Sequence, residues 1–399
     1  MGSGKYPEKT RPNRRTLGKI EAHLTQELQQ VKWAEYELQE LFIIEGTKSL
    51  DSNAIDFVEK GINFVGRTFE NNGIQGFIEK REFEPNSPFT ITATVIGNYK
   101  YVKYQKEEYY CSQNINKLTP RVVINKWNER VAYFFVANIQ KFVSLYDGQQ
   151  GGYKLDDIRR HKIKLPINNN SNLDKLAQID FDFMENFIAQ LEAFRLSQLE
   201  AYLLVTGLKD YTLTVAEQQA LADFEKGKVV WGEYNLEKLF GKSTRGKRLK
   251  SADRIAGDLP FVTAGEAETG VSAFIGNQVE IFKANTTTID MFGSAKYRNY
   301  DYGGDDHIAV VHTENLNKYA AIFMTSAIHK SSYTGKFSYA RNFYAKDADE
   351  LNIQLPTSNQ QPDYSFMEIL ISAVQKLVIK DVVRYADSKI AATKQVING

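Results

Sequence analysis

At 399 residues, 42% hydrophobic and 25% charged, the chain is too long for one average domain and has the apolar material for two cores, which excludes a disordered polypeptide. A formal net charge of +1 excludes a global electrostatic pull toward nucleic acid or lipid, so any such affinity must come from local patches. The lone Cys111 excludes an internal disulfide and a multi-cysteine zinc site, while the lack of an apolar run near the roughly 20 residues that span a bilayer, or of a signal-peptide core, predicts a cytoplasmic protein.

Residues 1–31 read as an arm and a short helix. Lys5, Lys9, Arg11, Arg14, Arg15 and Lys19 crowd the arm with Pro7 and Pro12. Leu17, Ile20, Leu24, Leu28 and Val31 then advance by three and four, the stripe of an amphipathic helix.

A first body, 32–172, opens on Trp33, Glu35, Tyr36, Leu38, Leu41 and Phe42. The same pattern returns at constant offset as Trp231, Glu233, Tyr234, Leu236, Leu239 and Phe240, which opens a second body over 228–361. Phe64-Val65 matches Phe261-Val262, Gly73-Ile74 matches Gly270-Val271, Gly97 answers Gly293, and Leu165-Pro166 answers Leu355-Pro356. Within each body the apolar runs are short and rich in β-branched and aromatic residues, so Phe89 to Ile96, Val131 to Ile139 and Ile308 to Val311 are predicted as strands, with a helix around Leu316 to Ser326. Each body is predicted to be α+β.

Between the bodies, 173–227 reads as a helical spacer. Met184, Phe187, Leu191, Phe194 and Tyr202 form one stripe of a helix over Asp182 to Thr206, interrupted at Gln198. A second helix starts at the capping box Thr214–Glu217. After the second body, 362–399 is a C-terminal spacer with Met367, Ile371, Val374, Val378, Val382 and Tyr385 on one stripe. Capping boxes are predicted at Asp182–Glu185 and at Ser365–Glu368. A repeated helix therefore follows each repeated body.

Catalytic signatures are missing. Gly241-Lys242-Ser243 resembles the end of a phosphate-binding loop, but Leu236 stands where that loop needs glycine. Asp305, Asp306, His307 and His312 cluster without the spacing of a zinc site and read as strand-end polar residues. There is no Pro-Pro target-base motif and no nucleophile elbow. No metal is expected.

Cations and aromatics interleave after the paired glycines: Tyr99, Lys100, Tyr101 and Lys103 in the first body, Ser294, Lys296, Tyr297 and Arg298 in the second. Such loops suit duplex DNA, since charge meets the phosphates while planar and amide groups discriminate base edges. Lys242, Arg245, Lys247 and Arg248, then Lys336, Tyr339 and Arg341, extend this set in the second body. Their less basic counterparts are Lys48, Arg67, Asn71 and Asn72, then Gln149, Gln150, Tyr153 and Lys154. A retained framework with changed loop chemistry is what two modules reading different sequences would show. Arg159, Arg160, Lys162 and Lys164 form a further basic group.

With these residues in place, the chain resembles the specificity (S) subunit family of Type I restriction–modification systems. The resemblance rests on Trp231 to Phe240, Leu259-Pro260-Phe261-Val262-Thr263, Thr269-Gly270-Val271, Phe292-Gly293-Ser294, His307, Tyr339-Ala340-Arg341 and Ile353-Gln354-Leu355-Pro356. The first body departs from it, with Gly97-Asn98 for Gly-Ser and Cys111-Ser-Gln-Asn where the second has Asp305-Asp-His. The resemblance implies two tandem target recognition domains, each reading half of a bipartite site in double-stranded DNA, separated by two long helices forming an antiparallel pair with a pseudo-twofold axis. It implies a non-catalytic subunit that binds no cofactor. S-adenosylmethionine would sit on two partner DNA methyltransferase (modification) subunits, with two restriction/translocase subunits in the full enzyme. A Type II-like arrangement, with methylation and cleavage in one fused partner, stays open. So do a self-contained methyltransferase or nuclease and a duplicated protein-binding scaffold.

Overall fold

The computed structural model describes residues 19–148, 151–168 and 174–398, and side chains from Leu24 to Ala392. These residues divide after Gln198 into two compact units, each α+β.

In the first unit, Lys32–Glu37 pairs antiparallel with Lys162–Ile167, which sets Trp33 opposite Pro166. An antiparallel sheet follows in the order Phe42–Gly46, Ile115–Pro120, Thr90–Thr94, Val102–Gln105. A mixed sheet orders Ser49–Leu50, Tyr109–Ser112, Ile62–Val65 and Ile74–Ile78. The helix Glu129–Ser144 lies on the antiparallel sheet, and Leu38, Leu41, Phe42, Ile91, Leu118, Phe135 and Ile139 close the core between them.

The second unit repeats the plan. Trp231–Asn235 pairs with Asn352–Ser358, Trp231 opposite Pro356. The antiparallel sheet runs Thr244–Arg245, Ile308–Val311, Thr286–Asp290, Ala295–Arg298. Ala256–Val262 pairs antiparallel with Val271–Ile275 and parallel with Gly303–Gly304. The helix Lys318–Ser332 covers the antiparallel sheet, burying Ala320, Met324 and Ile328 against Ile289 and Ala309.

Equivalent contacts recur at the level of single atoms. Trp33 stacks on Phe134 with ring centroids 6.4 Å apart, and Trp231 on Phe323 at the same 6.4 Å. The Thr90 hydroxyl meets the Tyr109 hydroxyl at 2.7 Å, and Thr286 meets Tyr302 at 2.9 Å. In each pair a buried phenol and a strand threonine satisfy one another where water is excluded, so neither group is left unpaired. The paired tryptophans read from the sequence thus open two copies of one fold.

Helix starts differ from the predicted boxes. The central helix is Phe181–Val205 and the terminal helix Tyr364–Asn398. Asp180 Oδ1 accepts from Phe183 N at 2.8 Å and Asp363 Oδ1 from Phe366 N at 2.9 Å. The capping carboxylates are therefore Asp180 and Asp363, each two residues ahead of the box read at Asp182 and Ser365. Their own amides donate to Pro166 O and Pro356 O at 2.9 and 2.8 Å, fixing each helix to the preceding strand. The box at Thr214–Glu217 is present as expected.

Val131 to Ile139 is helix, not strand. An apolar run of this length is ambiguous by composition. Asn128 caps Arg130 and Val131, and the buried Val131, Phe135, Ile139 and Phe142 advance by three and four. Leu17, at the head of the first stripe, lies outside the described residues; its helix is Lys19–Gln30, with Leu24 buried.

The spacer stripes shift as well. Met184 and Phe194 are buried, Phe187 packs on the first core and Leu191 is half-buried. Tyr202 is exposed, and Leu203 takes its place, packing with Leu199 against Ile379, Val383 and Ala386 of the terminal helix. In the terminal helix Met367 is buried and Ile371 packs on the core, but Val374, Val378, Val382 and Tyr385 are exposed. The covered face is Met367, Leu370, Ala373, Val383 and Ala386. This helix is apolar over more than one face, and the stripe read from the sequence continues onto the open one.

Candidate nucleic-acid interface

The element that organises each candidate surface is a turn of three consecutive left-handed residues. Asn71, Asn72 and Gly73 have φ of 43°, 53° and 82°; Glu268, Thr269 and Gly270 have 49°, 53° and 84°. Only glycine takes this region freely. Gly73 O accepts from Gly66 N and Gly270 O from Thr263 N, both at 2.8 Å, so each loop closes on itself and projects its preceding residues from the domain.

In the first domain this turn meets the strand Val102–Gln105. Asn72 Nδ2 donates to Tyr104 O at 2.8 Å, and Lys103 Nζ donates to Phe69 O at 3.1 Å. The Lys103 ammonium stands 4.7 Å from the Phe69 ring and 5.8 Å from the Tyr101 ring, within cation–π range. Burial holds its pKa below that of a free lysine. Arg67, Asn71, Asn72, Tyr101 and Lys103 are thus brought to one loop-and-strand surface, with Arg67 and both asparagines exposed. Phe69, 68% exposed, belongs to that surface and was missed by the sequence reading. Its signal was a bulky aromatic between a cation and an Asn-Asn-Gly turn.

Other first-domain expectations fall elsewhere. Tyr99 is exposed on the hairpin after Thr94, Lys48 lies 4.0 Å over the Phe83 ring, and Lys154 is exposed. Lys100 is corrected: it is buried, and its ammonium donates to Gly97 O and to Tyr146 O, just beyond the helix Glu129–Ser144. A cation there meets the negative end of the helix dipole, which holds it inside. Tyr153 is buried among Phe142 and Tyr146 and is likewise withdrawn from any ligand. Gln149 and Gln150 lie outside the described residues.

The second domain presents its charge differently. Lys242, Arg245, Lys247 and Arg248 are all exposed, on and around the short edge strand Thr244–Arg245. Lys247 N donates to Gly304 O at 3.0 Å and Leu249 N to Asp305 Oδ1 at 3.4 Å, which anchor the loop after it on the sheet. Gly246 permits the approach, since a Cβ there would lie 1.9 Å from Gly304 O. Lys336 and Tyr339 are exposed, with Tyr339 edge-on to Phe292 at 5.2 Å. Arg341 pairs with Asp347 at 2.6 Å, an ion pair that raises the guanidinium's pKa.

Three second-domain expectations are corrected. Arg298 is buried; its Nε donates to Thr288 Oγ1 at 2.9 Å and Nη1 to the Tyr300 hydroxyl at 3.1 Å. Ser294 is buried in the Asp290–Ser294 turn, its amide on Asp290 Oδ1 at 3.0 Å. Lys296, largely buried, pairs with Glu266 at 3.1 Å and Asp290 at 3.4 Å. Tyr297 is half-buried, with its hydroxyl on Asn285 Oδ1 at 2.8 Å. The sequence reading placed Ser294 beside Asn98. Strand register instead matches Lys296 with Lys103 and Arg298 with Gln105, because the first-domain hairpin is longer.

Asp305, Asp306 and His307 do stand together, with His307 Nδ1 3.3 Å from Asp306 Oδ1. They are strand-end groups beside the basic loop.

Two copies of one α+β body with the same turn, and different charge around it, define a duplicated recognition protein. The chain belongs to the family described as Type I restriction modification DNA specificity domain, whose model matches residues 30–201 and again 228–383. It is similar to the Type II restriction enzyme BgcI specificity subunit S.BcgI of Heyndrickxia coagulans, 23% identical over 359 residues, 88% of this chain and 96% of the relative. Among solved structures it resembles the Type-I restriction-modification system S subunit from M. genitalium, with a TM-score of 0.55, 15% identity, and coverage of 92% of this chain and 94% of that one. Proteins of this family recognise DNA and carry no catalytic centre.

Proposed function

We propose that this chain reads a bipartite duplex DNA site, one half with each domain, and docks the methyltransferase subunits that modify it. The observation that carries the reading is the duplicated frame with divergent loops: an aromatic and amide surface around Phe69 and Asn72, and a cationic loop at Lys242 to Arg248. Phosphate contacts from the cations supply affinity, while loop side chains discriminate bases. The boundaries 32–172 and 228–361 are our proposed limits of the two reading domains.

The central helix, roughly 36 Å long at about 1.5 Å per residue, is proposed as the spacer between half-sites, paired antiparallel with the terminal helix about a pseudo-twofold axis. The exposed stripe Val374, Val378, Val382 and Tyr385 supports docking of a partner on that helix, since apolar side chains exposed together on one helix face mark an interaction surface. In this reading S-adenosylmethionine binds the partner and this chain needs no cofactor or metal. No helix among the described residues is long and apolar enough to cross a membrane, which agrees with work in the cytoplasm, where the DNA is.

The test is an assay of the purified chain with duplex DNA and S-adenosylmethionine, with and without a methyltransferase subunit of the same system. Salt-dependent binding by the chain and methyl transfer only with the partner are expected. Methyl transfer or cutting by the chain alone would contradict the reading.

A further inference from the structure

The two domains place a lysine at the same strand position and give it opposite surroundings. Lys103 lies opposite Thr92, and Lys296 opposite Thr288. Three residues before the central residue of each left-handed turn stands Phe69 in the first domain and Glu266 in the second. Lys296 is neutralised by Glu266 and Asp290. Lys103 has no carboxylate partner among the described residues; it lies against the backbone and rings of Phe69 and Tyr101.

The first domain thus presents an exposed apolar ring with an ammonium 4.7 Å from its centre. Phe69 and Tyr101 pack tilted, 5.7 Å between centroids, so the ring is held from behind while 68% of the residue stays exposed. Resting on the proposed function, we propose that Phe69 and Lys103 together read a thymine in the first half-site, the ring meeting the 5-methyl group and the ammonium donating to O4. In the major groove thymine is the base that shows a methyl group beside a carbonyl acceptor; cytosine shows an amino donor there, and guanine and adenine no methyl. An apolar ring beside a donor matches both features of that edge, whereas guanine would satisfy the donor but leave the ring without a methyl, and cytosine and adenine would face the donor with an amino group. The second domain cannot use this pair, because Glu266 replaces the ring and occupies the cation.

The experiment uses the full chain with its methyltransferase partner. Methylated-base profiling gives the site, and competition binding then compares fully paired duplexes in which each first-half thymine is replaced singly by deoxyuridine or, with guanine in place of the paired adenine, by 5-methylcytosine. Deoxyuridine at one position should weaken binding about fourfold, the worth of one buried methyl. Phe69→Ala should bind the thymine and deoxyuridine duplexes equally, with second-half discrimination unchanged. At that position 5-methylcytosine keeps the methyl but not the acceptor, so the unaltered protein should reject it and Lys103→Ala should lose the preference. A first half without any position sensitive to deoxyuridine, or a penalty that persists in Phe69→Ala, would overturn the inference. Loss of DNA bending by Phe69→Ala with no deoxyuridine penalty would overturn it too, marking the ring as a wedge. All three results leave two-domain DNA reading standing. Failure of the unaltered complex to bind any duplex would sink both.

Discussion

Arg298 donates through Nε to Thr288 Oγ1 at 2.9 Å, at the place where Gln105 donates to Thr92 Oγ1 at 3.1 Å in the other domain. Gln105 Nε2 also reaches Asn72 O at 3.3 Å, and an Arg298 Nη lies beside Gly270, so both side chains, rooted on the edge strand, link a threonine of the neighbouring strand to the left-handed turn. Each positions a recognition loop from inside the fold.

Arg298→Ala is therefore expected to destabilise the second domain, by about 3 kcal/mol, because it removes a donor from buried Thr288, whose hydroxyl keeps only its bond to Lys296 O, and from half-buried Tyr300, and opens a cavity. Arg298→Gln restores the first domain's own arrangement and should recover most of that loss. Thermal unfolding of the two variants decides it; equal melting of Arg298→Ala and the unaltered protein would show that the guanidinium is dispensable.

Glu217 gives the stability a pH dependence. Burial opposes its charge, but Ser372 Oγ at 2.6 Å, Thr214 N at 2.7 Å and Lys376 Nζ at 2.9 Å more than offset this and bring the carboxyl down to about 2. A carboxyl depressed on folding contributes stability that is fully present above its unfolded value, about 4.3, and lost as pH falls toward 2. Urea unfolding should weaken across that window, and Glu217→Gln should flatten the decline while lowering stability at neutral pH.

Asp180→Ala and Asp363→Ala should each cost about 1 kcal/mol, the usual worth of a helix N-cap. Asp182→Ala, which removes only an exposed pair with Lys126, should stay within about 0.5 kcal/mol. Denaturant midpoints of the three variants check the assignment of the caps.

Alanine at Arg245 or Lys247 should lower the slope of log affinity against log salt by about one where that side chain meets a phosphate. Arg341→Ala should change the slope less, since Asp347 already holds its charge at 2.6 Å. Titrations of binding at several salt concentrations make the comparison.

The duplicated frame was legible because tryptophan, glycine and Leu-Pro pairs mark places where backbone geometry leaves little choice: Trp33 and Trp231 face Pro166 and Pro356 in identical register. The surfaces were less legible. Lys100, Lys296 and Arg298 carry the same charge in sequence as Arg245, yet a helix terminus, two carboxylates and a threonine–tyrosine pair draw them inside. Composition shows that a loop is cationic, but not which cations already have partners. Phe69 was overlooked for the converse reason, since its exposure depends on a turn of left-handed residues that only the folded chain displays.

The central claim, that each domain reads its own half of a site, is tested most directly by binding-site selection with the full chain and its partner, comparing the unaltered protein with Phe69→Ala/Lys103→Ala, which removes the base-facing ring and ammonium of the first domain alone. The account predicts relaxed selection in one half-site and an unchanged sequence and spacing in the other. Equal relaxation of both halves would contradict it.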